Sequence, residues 1–318
     1  MQPVKLSPAF KDYLWGGTRL KTEYHKQSDL PIVAESWELS THKDGQSTIA
    51  DGPDAGLSLS AYIDKYGQAV LGTNAARFDY FPILIKLIDA KGNLSIQVHP
   101  DDAYALKNEG EYGKTEMWYI LDAEPGASLY YGVNRELTRE ELASRIQDNT
   151  LLEVLNKVEV KKGDVYFIEA GTIHAIGAGI VICEIQQNSN TTYRVYDYDR
   201  RDAQGDPRQL HIRQALEVSR LTPSEPQSDV PVIQHDGYTE KRLATCSYFC
   251  VNRLVVQTQA VLSVTPQSFQ SLIVTDGSGT LAMGDTVLSF QKGDSLFLPA
   301  QSAAYTVTGS CTLIQSYV

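Results

Sequence analysis

Four side chains in the middle of the chain carry the chemistry of a metal site: Gln97, His99, Glu116 and His174. Two imidazoles and a carboxylate, with a neutral oxygen donor beside them and positions left open, suit a catalytic Zn²⁺. The same set suits Fe²⁺ or Mn²⁺. Gln97 has a second reading, as a hydrogen-bond partner that orients a ligand. Strand patterns position these residues. Between Asn93 and Asp102, apolar Leu94, Ile96 and Val98 alternate with Ser95, Gln97 and His99. Side chains on a strand alternate between faces, so the polar three share one face, about 6–7 Å apart per two-residue step. Pro100 has no N–H and ends the ladder.

Charged neighbours define what such a site would take. Lys114 shares a strand face with Glu116, and Arg194 lies ten residues beyond Glu184. Two cations and a carboxylate beside a metal suit an anionic substrate that exchanges a proton, and an arginine holds a phosphate or an enediolate with two parallel hydrogen bonds. Glu184 and Lys114 are both candidates for the proton-transferring base. The blander reading makes Lys114 and Glu184 a structural ion pair and leaves Arg194 in solvent.

The whole-chain totals exclude several classes. The 318 residues carry a net charge of −11 and no basic run, so bulk binding to nucleic acid is not expected. An acidic protein that binds a phosphorylated ligand must build a local basic pocket against its own field. Cys183, Cys246, Cys250 and Cys311 form no Cys-x-x-Cys pair. They read as small buried hydrophobes in a reducing compartment, not as a disulfide frame or a zinc knuckle. The N-terminal stretch has no apolar signal core, and the apolar run Phe81–Ile88 is broken by Pro82 and Lys86 and too short to span a bilayer. A cytoplasmic protein without membrane contact is expected.

The elements around the site follow from local pattern. Strands are expected at Glu35–Ser40, Ser47–Ala50, Phe81–Ala90, Lys114–Leu121, Val158–Val160, Val165–Ile168, Ile180–Gln186 and Thr191–Tyr196. Helices are expected at Ser58–Leu71, Asp101–Glu111, Thr138–Gln147 and His211–Ser219, with Ser58 or Ser60, Asp101 or Asp102, and Thr138 able to cap. A second short helix is expected at Leu151–Leu155. Three prolines in the polar stretch from Leu221 to Pro231 mark a linker. Beyond it come short β runs at Phe249–Gln257, Ser271–Thr275, Thr280–Ala282, Thr286–Phe290, Ser295–Leu298 and Tyr305–Val307.

An internal repeat ties the two halves together. Lys162-Gly163-Asp164, the strand Val165–Ile168, then Ala170 and His174 align without a gap with Lys292-Gly293-Asp294, Ser295–Leu298, Ala300 and Ala304. This Gly-Asp turn, strand, turn and histidine resembles the second motif of the cupins, which are double-sheet jelly rolls. The second copy has lost the histidine. Glu169 stands where cupins commonly have proline, and Pro299 keeps that proline in the copy without a site. The expected fold is mainly β, with two cupin-type jelly-roll domains. A catalytic domain over 1–220 carries a small helical insertion near 136–156, a linker spans 221–238, and a jelly roll without metal covers 239–318.

A closer resemblance covers nearly the whole chain. It rests on Phe81-Pro82-Ile83-Leu84-Ile85-Lys86, on Leu94–Asp101, and on Lys114-Thr115-Glu116-Met117-Trp118. It continues through Gly171-Thr172-Ile173-His174-Ala175, Glu184-Ile185-Gln186 and Asn190-Thr191-Thr192-Tyr193-Arg194. Together these resemble the type I mannose-6-phosphate isomerases in their short bacterial form. The resemblance implies one zinc per chain, bound by Gln97, His99, Glu116 and His174. It implies a catalytic Arg194, with Lys114 in the active site and Ser95 and Lys86 at the substrate pocket. The implied reaction interconverts mannose 6-phosphate and fructose 6-phosphate through a cis-enediol. A monomer or weak homodimer is expected, with the oligomeric state left open by the sequence. An isomerase of another sugar phosphate, a non-catalytic sugar-binding cupin and an iron-dependent cupin oxygenase are the competing readings.

Overall fold

The computed structural model describes residues 1–201, 205–224 and 230–318. Two compact units divide the chain. One gathers Met1–Asp12, Thr18–Leu87 and Ser228–Val318; the other gathers Tyr13–Gly17 and Ile88–Gln227. Every residue of the candidate metal set lies in the second.

In that unit a five-stranded sheet runs in the order Tyr193–Tyr196, Ile96–Val98, His174–Ala175, Ser128–Val133, Leu155–Glu159. A second layer sets Val165–Ile168, Glu116–Ala123 and Ile180–Gln187 side by side, all antiparallel. The period of two in the sequence decides which face goes where. Ile96 and Val98 are buried in an apolar cluster with Leu142 and Ile146 of the helix Arg139–Gln147 and Ala215 of the helix Ile212–Val218. Gln97 therefore leaves the opposite face, toward the second layer.

The helices begin where their caps dictate. Asp101 accepts from the Tyr104 N–H at 2.9 Å and starts Asp102–Asn108, and Thr138 accepts from the Glu141 N–H at 3.1 Å. Ser58 is the cap of Leu59–Tyr66. That helix stops five residues short of the expected Leu71, because Gly67 takes φ 83° and turns the chain into a short 3₁₀ segment.

The other unit draws on both ends of the chain. The strand Val4–Ser7 pairs antiparallel with Ser295–Leu298 and also with Thr48–Ile49. Thr48–Ile49 thus pairs away from Glu35–Leu39, which has Ala9–Lys11 as a neighbour. The early chain and the C-terminal β strands belong to one compact unit. Ile233–Gln234 pairs with Thr239 and Glu240, and 225–229 lie outside the described residues.

Two expected runs, Ser271–Thr275 and Thr280–Ala282, are one strand, Gln270–Met283. The intervening Asp276-Gly277-Ser278-Gly279 has a turn-like composition but stays paired, from Asp276 opposite Thr312 to Gly279 opposite Gly309, after a β-bulge where the register against Ala303–Tyr317 shifts between Val274 and Asp276. Gly277 takes φ 72°, and a Cβ there would sit 2.0 Å from the Ser310 carbonyl oxygen. The internal repeat survives in three dimensions. Gly163 and Gly293 adopt φ 95° and 93° before the matching strands Val165–Ile168 and Ser295–Leu298.

A buried ion pair pins the N-terminal segment of this unit. Lys26 Nζ lies 2.6 Å from Glu38 Oε1 and also donates to the Gly293 carbonyl, while the Ser36 hydroxyl donates to Glu38 at 2.6 Å. Removing one partner of such a pair strands the other without solvent. Lys26→Met is expected to lower unfolding stability by about 3–5 kcal/mol, read as a fall in the urea midpoint at unchanged slope.

Candidate metal centre and active site

His99, Glu116 and His174 converge in the second unit, all three buried, with one donor atom of each within 4.8 Å of the others. Glu116 Oε2 lies 3.8 Å from His99 Nε2, and Glu116 Oε1 lies 3.4 Å from His174 Nε2. The backbone sets both imidazoles. His99 Nδ1 donates to the Thr191 carbonyl at 2.9 Å, and His174 Nδ1 to the Thr172 carbonyl at 2.8 Å. With the proton held on Nδ1, each Nε2 keeps its lone pair and turns it toward Glu116. Burial drives the His174 imidazole down to about 4, opposed by its bond to Thr172, so it is neutral and able to ligate at neutral pH. Two imidazoles anchored through Nδ1 and one carboxylate fit a divalent metal.

The register explains why these residues meet. His174 sits directly opposite Gln97, Gln97 opposite Arg194, and His174 opposite Tyr131, so four side chains form one row across the sheet. Gln97 Nε2 lies 3.4 Å from His174 Nε2. Amide nitrogen and oxygen are close to isosteric, and the flipped amide offers Oε1 as a fourth donor. From the second layer, Lys114, Glu116 and Trp118 alternate toward the same space, and Glu184 stands opposite Trp118. Lys114 Nζ lies 2.9 Å from Glu116 Oε2 and 3.7 Å from Glu184 Oε1. Trp118 Nε1 donates to Glu184 Oε2 at 2.9 Å and sets its indole edge-on to His174. Lys114 and Glu184 are therefore paired, as the blander reading held, and the pair stands against the metal cluster.

Arg194 is half-buried on Tyr193–Tyr196, and its guanidinium donates to the Gln209 carbonyl at 2.8 Å. Burial, then the nearby Arg208, lowers its pKa. Asp197 follows on the same segment and accepts from both Arg200 and Arg208. Burial pushes its carboxyl up, but the two arginines outweigh that and hold it below the usual range. Ser95 is buried one residue before the strand that carries Gln97. Lys86 belongs to the other compact unit, buried 3.5 Å from Glu35 Oε2 and over the Trp37 ring.

Sequence reasoning gave no role to three residues of this site. Trp118 was within reach, since it continues the alternation of Lys114 and Glu116. Tyr131 and Gln186 were not, because their place depends on pairings between distant strands.

This fold and this metal set define a cupin-type metalloenzyme. A family model for the catalytic domain of type I phosphomannose isomerase matches residues 4–126, and one for the cupin domain of mannose-6-phosphate isomerase matches residues 239–318. The chain is 36% identical over 318 residues to mannose-6-phosphate isomerase ManA of Bacillus subtilis, covering 100% of this chain and 99% of that one. The crystal structure of the mannose 6-phosphate isomerase from Bacillus subtilis matches with a TM-score of 0.93 and 37% identity, covering 100% of both chains. A more distant structure, of a mannose 6-phosphate isomerase bound with zinc and yttrium, matches with a TM-score of 0.77 and 20% identity over 100% of this chain and 99% of that one, a likeness of fold. The chain belongs to the type I mannose-6-phosphate isomerase family.

Proposed function

We propose that this protein interconverts mannose 6-phosphate and fructose 6-phosphate, with one zinc ion held by His99, Glu116, His174 and the Gln97 amide oxygen. The observation that carries the reading is the pair of buried imidazoles whose Nε2 atoms both face Glu116, in a chain of this family. When bound, the metal supplies positive charge that offsets negative charge developing on the sugar oxygens at C1 and C2.

Glu184 takes the C2 proton of the open-chain aldose. The electron pair left behind forms the C1–C2 double bond of a cis-enediol, and O1 is protonated. Return of the proton to C1, with loss of the O2 hydrogen, gives the ketose. Lys114 lies between Glu116 and Glu184, an arrangement suited to donating hydrogen bonds rather than taking a proton. Lys114 also counters the charge of two buried carboxylates. Arg194, in the same cross-strand row as Gln97, holds substrate oxygens or the enediolate, and Ser95 contributes to the substrate pocket.

Among the described residues no helix is long and apolar enough to cross a membrane. All four cysteines are free thiols, which supports a reducing cytoplasm as the site of action.

A coupled assay for fructose 6-phosphate formed from mannose 6-phosphate, before and after chelation and zinc return, tests the reading. Turnover is expected to vanish with the metal and recover with zinc. Absence of turnover in zinc-loaded protein sinks this substrate, and turnover in metal-free protein sinks the metal's role.

A further inference from the structure

Gln186 is fully buried, on the Ile180–Gln187 strand, directly opposite Glu116 and two residues from Glu184. Register partners, and residues two apart on a strand, share a face. Its side chain therefore projects on the same face as the carboxylates of the active site. Its amide orientation is not interchangeable. Nε2 donates to the Gln187 carbonyl and to the Ser189 carbonyl, both at 2.7 Å. Only an NH₂ group can make two such bonds, so the other amide atom must be the oxygen. That Oε1 is buried and has no hydrogen-bond partner among the described residues.

We propose that Gln186 is a further substrate-binding residue, whose Oε1 accepts a hydrogen bond from a hydroxyl of the bound sugar that does not react. The proposal rests on the isomerase reading above. A buried acceptor without a donor is costly to keep, and the fold keeps this one fixed by two backbone anchors on the face of the site. The matching ligand chemistry is a hydrogen-bond donor. A sugar phosphate carries such donors on C3, C4 and C5, away from the reacting C1 and C2. A site built to hydrogen-bond a hydroxyl also discriminates against analogues that lack it, because the buried acceptor is then left unpaired.

The test compares wild type with Gln186→Met, which keeps side-chain length and removes both polar atoms. Wild-type turnover of mannose 6-phosphate is established first, so failure of the isomerase reading shows itself separately. In Gln186→Met, KM is expected to rise about tenfold, the size of one neutral hydrogen bond, with kcat changed less and metal content unchanged. With the 3-, 4- and 5-deoxy analogues of mannose 6-phosphate, one is expected to cost wild type about tenfold in kcat/KM and to cost the variant nothing further. An unchanged KM, or full additivity with every analogue, overturns the proposal. Loss of metal at unchanged KM overturns it too, since Gln186 would then support the ligands alone. Should Gln186→Met fail to fold, the analogue series on wild type decides: no deoxy position costing more than about twofold overturns it.

Discussion

His174→Ala is expected to lose its metal and roughly 10³-fold or more of its turnover together. A bound metal contributes several kcal/mol to stabilising developing charge, and each 1.36 kcal/mol is a factor of ten in rate. His174 is fully buried, so neither water nor a surface side chain can replace its Nε2 beside Glu116. Altering a residue that merely orients a ligand costs about 10–100-fold in affinity, and removing a ligand costs more. The measurement is metal per chain by atomic emission after gel filtration, alongside kcat/KM. A variant that keeps one metal per chain while losing activity would remove His174 from the ligand set.

Much of this site was legible because strand alternation is a local signal. Gln97 and His99 announce their face through Ile96 and Val98, which the structure packs in a cluster with the helices Arg139–Gln147 and Ile212–Val218, and Lys114 and Glu116 share a face by their spacing of two. The repeat around Gly163 and Gly293 was legible because a turn with positive φ demands glycine at one position. What failed was non-local. The pairing of Val4 with Phe297 joins strands at opposite ends of the chain, and no periodicity in either strand reports its partner. The placement of Gln186 opposite Glu116 has the same character. Composition misled at Asp276-Gly277-Ser278-Gly279, where residues that usually make a turn let two long strands cross closely while the ladder continues.

Glu184→Gln is expected to lower kcat by roughly 10²–10⁴-fold, the contribution of a placed proton-transfer group, with metal content and KM near wild type. The substitution preserves shape. A glutamine oxygen still accepts from Trp118 Nε1, now 2.9 Å from Glu184 Oε2, while the amide can no longer take a proton from C2. Lys114→Met provides the contrast. Lys114 faces two buried carboxylates at 2.9 and 3.7 Å, so its loss leaves both without their cation. The metal-free variant is expected to be about 3–5 kcal/mol less stable, with a smaller deficit once zinc is bound, because the metal's charge then faces Glu116. Exchange of the C2 hydrogen with deuterated solvent separates the two roles. It should disappear in Glu184→Gln and persist, at a reduced rate, in zinc-loaded Lys114→Met. Persistence in the first and disappearance in the second would transfer the proton-transfer step to Lys114 and reduce Glu184 to its partner in the ion pair.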